Sequence, residues 1–272
     1  MIFHYLKIAF RNLYKHKTQN IISIIGLAVG LLCFCVCIYC SRFVESTDHC
    51  FTNDRIAELN LYDGKTDRYF SGSPVPLAED LRTWSLGETE AISSVTYPRE
   101  RPYYVELSPE KMLPYELETI EIDTCYNKIF TPEMVAGHWK MASQSLNSVI
   151  LSQSMAIKIF GNAESAIGKH MTLMRRLNTS PESTPKTGGI VYTIQAVMKD
   201  IPLNNSLDFM QNIDMLTVND SEGLLQSSKR HNMTGANTYV LLSPQTTCTD
   251  LEKQFLKRDY TYPLYGEAYT VT

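Results

Sequence analysis

From Ile21 to Cys40 the chain is almost continuously apolar, and no residue between Lys17 and Arg42 is charged. As a helix this run is long enough to cross about 30 Å of hydrocarbon. It is apolar on every side, which a core helix seldom is. A cleaved signal peptide fits less well, because its apolar stretch is usually about 7–15 residues and ends in a small-x-small site. The end of this run, Ile38-Tyr39-Cys40-Ser41-Arg42, offers no such site. The pattern therefore predicts a retained transmembrane helix over 20–42. Before it, Ile2, Phe3, Leu6, Phe10, Leu13 and Tyr14 recur at three- and four-residue spacing, with Lys7, Arg11, Lys15 and His16 mainly on the other side. That spacing predicts a basic amphipathic helix over 1–19, lying in the headgroup layer with its cationic tips in water.

After the span the period changes. Residues 43 to 70 read as a short helix leaving the membrane and then strands, with Ile56 to Leu61 alternating as one strand. Ser73-Pro74-Val75-Pro76 opens a helix carrying Leu77, Leu81 and Trp84, since proline is at home in a first turn. Strands follow over 92–97, 103–107 and 116–125, the last with Leu117, Ile120 and Ile122 inward. Ser148 to Leu151 is a short apolar strand. Ser152 then caps a helix with Met155, Ala156, Ile159 and Phe160 on one face, and Gly161 ends it. Residues 166–169 turn into a strand over 170–174, the polar stretch 178–189 is a loop, and 190–198 is a strand closed by Lys199-Asp200-Ile201-Pro202. A strand over 238–242 and a helix over 249–258, with Leu251, Phe255 and Leu256 inward, complete the pattern. Strands and helices interleave, so the class is α+β or α/β.

Charge sharpens this division. The first 19 residues hold four basic side chains and no acid, and the remainder holds 21 basic against 29 acidic residues. An acidic body argues against nucleic-acid binding, which needs clustered Lys and Arg. A basic head suits anionic lipid. By the positive-inside rule the N-terminus is cytoplasmic, and residues from about 43 onward lie outside. Within the span, Gly26 and Gly30 are one turn apart and would let another helix approach closely. Cys33, Cys35, Cys37 and Cys40 read as small packing residues there. Cys50, Cys125 and Cys248 lie beyond it, so at most one disulfide forms among them and one thiol is left over.

Candidate chemistry adds little. Gly161 to His170 resembles a phosphate loop, but six residues separate the glycines where four are needed, and His170 stands where Ser or Thr must be. No Gly-x-Ser-x-Gly or His-Glu-x-x-His motif is present. Asp48-His49-Cys50 is a small polar cluster beside the membrane. Glu116, Glu118, Glu121 and Asp123 read as the solvated face of a strand, with cation binding as the sharper alternative. The expectation is a protein that is not an enzyme, with no catalytic, cofactor or metal residues.

Four blocks in order carry a family resemblance. The opening Tyr5-Leu6-Lys7-Ile8-Ala9-Phe10-Arg11-Asn12-Leu13-Tyr14-Lys15-His16-Lys17 runs into Ile21 to Leu32, with Gly26-Leu27-Ala28-Val29-Gly30 inside it. Ser148 to Ala156 is followed by Ile159-Phe160-Gly161 and Ala166 to Lys169. Tyr192 to Pro202 is followed by Asn205-Ser206, and Asn237 to Leu242 comes last. Together they resemble the N-terminal part of FtsX-like/MacB-like ABC transporter permeases of the Bacteroidetes type. One departure is Leu207, where the family often has His after Asn-Ser.

The resemblance implies an α+β extracytoplasmic core domain over 43–272. A porter-like α/β part would cover 44–115 and 205–272, and an inserted strand-rich, Sabre-like part would cover 116–204. It implies an inner-membrane permease subunit that couples ATP hydrolysis by a separate cytoplasmic ATP-binding subunit to movement of the outer, periplasmic domain. Its other partners would be a second permease copy or homologue, membrane lipid, and an extracytoplasmic peptide, lipoprotein or adaptor. On this reading Lys7, Arg11 and Lys15 meet the inner face and the lipid surface, and Gly26 and Gly30 pack a neighbouring helix. The family carries three further helices and no second apolar span precedes Thr272, so the chain is expected to be the N-terminal part of a longer protein. The alternative is a single-pass anchored sensor or binding module.

Overall fold

The computed structural model describes residues 4, 5, 11, 14–84, 86–108, 111–173, 189–207, 212–218, 223, 234–258, 261–264 and 267–271. It divides into two units, Met1–Asp48 and His49–Thr272.

The first unit is dominated by helix α1, Lys17–Glu45, which is 29 residues long and buries none of them. At 1.5 Å per residue it is about 44 Å long. It is long and apolar enough to cross a membrane, and is the one such helix among the described residues. It therefore extends beyond the 20–42 read from charge, because Lys17, Thr18 and Gln19 are compatible with helix and nothing stops it until Ser46. There the Ser46 N–H donates to Arg42 O at 3.0 Å and the Ser46 hydroxyl to Phe43 O at 2.9 Å. Arg42 in the last turn suits the negative end of the helix dipole. Upstream, His4, Tyr5, Arg11, Tyr14 and Lys15 are helical. The rest of the predicted amphipathic head lies outside the described residues.

The second unit is built on a mixed sheet. Its strands are β1 (Ile56–Leu59), β4 (Ser73–Pro74), β5 (Thr89–Thr96), β6 (Arg99–Ser108), β7 (Lys111–Ile122), β8 (Met134–Gly137), β9 (Ser148–Ser152), β10 (His170–Leu173), β11 (Ile190–Met198), β12 (Met215–Val218) and β13 (Thr234–Leu242). A smaller antiparallel sheet holds β2 (Leu61–Asp63), β3 (Arg68–Phe70), β14 (Thr261–Leu264) and β15 (Glu267–Val271).

The large sheet runs β1-β13-β5-β7-β12-β9-β11-β10-β6, and β6 also pairs with β7. The last six strands thus close into a ring, with β7–β12 and β9–β11 parallel and the other joins antiparallel.

Alternation along the strands sorts side chains into three cores. Inside the ring, Tyr103, Val105, Leu117, Val149, Leu151, Met171, Tyr192, Ile194 and Met215 pack with helix α5, Gln153–Phe160. On the other face Ile120, Ile122, Ile150, Met198, Leu216 and Val218 meet two short helices, α3 (Tyr126–Phe130) and α4 (Trp139–Gln144). Strands β5 and β13 are buried on both faces. Tyr239 and Leu241 point into this second core, while Ile92, Val240 and Leu242 point into a third with α2 (Leu77–Thr83) and α6 (Cys248–Arg258).

The predicted strand–helix passage in the middle is present. The Ser152 side chain accepts from Met155 N–H, and Gly161 closes the helix at φ 86°. The α+β class is confirmed, with four local corrections. Ile56 to Leu61 is two strands, not one, because Leu59 and Leu61 bury in the same core but belong to different sheets. The strand read over 116–125 is the end of β7 and gives way to α3, a five-residue helix too short to show a helical period. Leu256 is 58 % exposed rather than inward, and the inner face of α6 is Leu251 and Phe255. The solvated acidic face is also wrong in part: Glu121 is buried and Asp123 is fully engaged, as described below. The loop read over 178–189 lies outside the described residues except Gly189.

Candidate functional site

The residues expected to act fall in the first unit. Lys7 lies outside the described residues. Arg11 and Lys15 are helical and exposed. Gly26 and Gly30 lie on the exposed surface of α1, and a Cβ added at either would meet none of the described atoms within 4 Å. The two glycines therefore leave a shallow notch one turn long, open to another helix. The four cysteines of α1 are free and exposed on the same bare helix.

In the second unit the acidic strand is a structural device. Inward-facing Glu121 on β7 pairs with Arg101 on β6 at 2.7 Å, and its side chain is only 3 % exposed. Burial works to lower the Arg101 guanidinium, but Glu121 and the Tyr103 and Tyr192 rings beside it hold it above its usual value. Asp123 accepts from the Ser93 hydroxyl at 2.7 Å, Ser94 N–H at 3.0 Å and Cys125 N–H at 2.9 Å, and it pairs with Arg82. It thereby ties α2 and the start of α3 to β5. Among the described residues no group of three or more His, Cys, Asp or Glu could hold a metal ion.

The blocks that carry the resemblance are structural as well. Asp200 accepts from Ser154 N–H at 2.9 Å and so supports the start of α5. Gly168 N–H donates to Ile194 O at 2.8 Å. Buried Asn205 donates to Pro202 O at 2.6 Å and accepts from Leu207 N–H at 3.0 Å, folding the turn after β11.

Asp214 joins β7 to β9: it accepts from Glu118 N–H at 3.0 Å through its side chain and from Ser152 N–H at 2.8 Å through its carbonyl. Burial raises its carboxyl above the usual value, against the lowering effect of the Glu118 N–H. A raised value means that the folded state holds this proton more tightly than the unfolded chain. Its contribution to stability is full in acid and is lost as pH rises through the folded value. Asp214→Asn keeps an acceptor for Glu118 and removes the charge. It is expected to raise the melting temperature at pH 7, with the gain vanishing near about pH 3, where both forms are neutral. Paired thermal melts across pH check this.

The second unit also carries a cleft of about 310 Å³ that sequence reasoning missed. The chain at Cys50-Phe51-Thr52 forms one wall, α3 and its exit at Thr131-Pro132 another, and Lys199 to Pro202 the third. The walls are pinned: Phe51 meets Phe130 edge-on at 4.9 Å, and Asn53 donates to Ile129 O at 2.6 Å. Of the earlier candidates only Cys50, from the Asp48-His49-Cys50 cluster, borders it. Its remaining walls come from segments far apart in the chain, so no local pattern announces it.

These observations define the class: an α+β domain with a six-strand ring, preceded in the chain by one candidate membrane-spanning helix. No family model matches the chain, and no curated protein does. Solved structures do. One is a domain of a protein described as a permease from Porphyromonas gingivalis, at 21 % identity, covering 83 % of this chain and 92 % of that one, with a TM-score of 0.59. Another is the periplasmic region of MacB from Actinobacillus actinomycetemcomitans, at 12 % identity, covering 84 % and 92 %, with a TM-score of 0.50. The second unit has the fold of a MacB-like periplasmic domain.

Proposed function

We propose that this chain is the N-terminal part of an ABC transporter permease subunit, with α1 crossing the inner membrane, the N-terminus in the cytoplasm and the second unit in the periplasm. One observation carries the reading: a unit with a MacB-like periplasmic fold follows directly on a candidate span flanked by four basic residues on its N-terminal side. The resemblance at Tyr5 to Leu13 supports it independently. On this reading a separate ATP-binding subunit hydrolyses ATP, and α1 and its neighbours pass the motion outward. Two states of the outer domain would then hold a partner differently. Arg11 and Lys15, with Lys7, face anionic lipid and the inner partner, and the Gly26–Gly30 notch seats another helix. The porter-like part at 44–115 and 205–272 and the inserted part at 116–204 belong to the same reading.

The test is affinity purification of the full chain from its native membrane in mild detergent. Co-elution of a nucleotide-binding subunit, with ATP hydrolysis in the eluate, is expected. Recovery of the chain without such a subunit and without hydrolysis overturns the permease reading and favours the anchored binding module. Orientation is checked separately. Exposed Cys248 is expected to react with a membrane-impermeant maleimide in spheroplasts whose inner membrane is intact. Protection of Cys248 until the membrane is lysed would reverse the topology.

A further inference from the structure

The six-strand ring is joined to the rest of the large sheet by a thin seam. β5 and β6 lie on the same edge of β7, but unequally. β6 pairs with β7 from Arg99 opposite Thr119 to Ser108 opposite Lys111. β5 makes a single ladder pair with β7 among the described residues, Val95 opposite Ile122, although it pairs with β13 from Thr89 to Thr96. Between the two stretches Thr96, Tyr97 and Pro98 stand opposite Ile120 and Glu121, three residues against two, which makes a bulge where the chain passes into the ring. The Tyr97 N–H turns to Gly235 O on β13 at 3.2 Å, and Pro98 has no N–H to offer β7.

Side chains complete the join. The Glu121 N–H donates to the Thr96 hydroxyl at 2.8 Å. The Ser94 N–H and the Ser93 hydroxyl donate to Asp123, which Arg82 of α2 also holds. Asp123 sits on the chain leaving β7, so it latches the ring to β5.

The two faces of the seam differ. On one, Val95, Ile122, Leu216 and Tyr239 belong to a single apolar core that crosses it. On the other, the ring core and the third core are separate. There Ser94, Thr96, Glu121 and Thr217 are each 3 % exposed or less. The hydroxyls of Ser94 and Thr217 have no hydrogen-bond partner among the described residues. An unbonded buried hydroxyl weakens the closed form and regains a bond when water reaches it. Parting this face hydrates both groups, while the opposite face keeps its apolar packing.

We propose that the seam is a hinge: the ring rocks against the body formed by β1, β13, β5 and the small sheet, pivoting on the apolar face and opening on the hydroxyl-lined one, with Asp123 as the latch. The proposal rests on the reading of the outer domain as a part with two states, and it says where those states differ.

Thiol accessibility reads the opening. In the full chain in detergent, Ser94→Cys and Thr217→Cys replace unbonded hydroxyls with side chains of similar size. Val105→Cys, buried in the ring further along β6, is the control. Alkylation by iodoacetamide is followed by peptide mapping. The Ser94→Cys and Thr217→Cys thiols are expected to react at least about tenfold faster than the Val105→Cys thiol. Adding Asp123→Asn, which takes the charge from the latch, is expected to speed the Ser94→Cys thiol by at least about tenfold more, the value of one charge-assisted hydrogen bond, and to leave the Val105→Cys thiol unchanged.

Equal rates at the three positions overturn the hinge, because all would then wait on the same global unfolding. So does equal acceleration of seam and control by Asp123→Asn. The native chain gives an independent reading. Its Glu121 amide is expected to exchange hydrogen at least about tenfold faster than the Leu117 amide on the same strand, with little response to low urea. Equal protection of the two amides overturns the proposal whether or not the variants fold. None of these rates involves a nucleotide-binding subunit, so failure of the hinge and failure of the permease reading are distinguishable.

Discussion

Arg101→Met is expected to lower the apparent melting temperature of the chain by about 6–12 °C, corresponding to about 3 kcal/mol. Glu121 is the reason. Its side chain is 3 % exposed and points into the ring, so removing Arg101 takes a charge-assisted partner from a carboxylate that is shielded from water. The figure sits at the low end of the range for broken buried pairs because Arg101 itself is 21 % exposed. The same asymmetry predicts that Glu121→Leu costs less, since the guanidinium can turn toward solvent. The double variant Arg101→Met, Glu121→Leu is expected to recover most of the loss, because Leu117, Val149 and Met215 line the same interior. Circular-dichroism melts of the four forms decide it. Additive losses in the double variant would show that the two side chains do not act as a pair.

Gly137→Ala is expected to be nearly as damaging, at about 2–4 kcal/mol. Gly137 ends β8 opposite Ala196 at φ 71°, in the left-handed region. A Cβ there would run into the Gln195 carbonyl oxygen and lie 2.8 Å from Ala196 Cα. Both are backbone atoms of a central strand and cannot swing aside, so β8 must lift from β11. Met134 and Trp139, at the two ends of that segment, would lose part of their packing against the second core. Hydrogen exchange should show faster amide exchange confined to 134–137 and the end of β11, with a lower melting temperature. Ala136→Gly, one residue away, serves as the mild control. Unchanged exchange in Gly137→Ala would show that the sheet absorbs the extra atom.

Much of this fold can be read locally, and the reason is visible in particular residues. Ser152, the apolar face Met155-Ala156-Ile159 and Gly161 each sit where capping and periodicity put them, because that strand–helix unit solves its own hydrogen bonding. Strand β11 is equally plain at its start, where Tyr192 and Ile194 bury by alternation; past a register shift after Ile194, Val197 faces the ring and Met198 the second core. Legibility ends where burial is settled by distant segments. Glu121 looks like a solvent-facing acid until β6 delivers Arg101 to it across a hairpin. Helices α3 and α4 are five and six residues long and carry no period. Tyr126 gives no sign of being special in the sequence. Its burial depends on Phe51, Trp139 and Tyr239 converging from three other regions.

The ring has a further consequence, for the solubility of the chain. A row of strands that returns to its start has no first and no last member. A foreign strand therefore finds few unbonded amides to dock on, which is the usual route by which sheets grow into aggregates. Raw margins lie instead at β1, the end of the large sheet outside the ring, and at the two ends of the small sheet, β14 and β3, of which β3 exposes Arg68, Tyr69 and Phe70. The β3 margin is three residues long and opens on a cation, so two sticky aromatic rings are kept on a rung too short and too charged to template another copy.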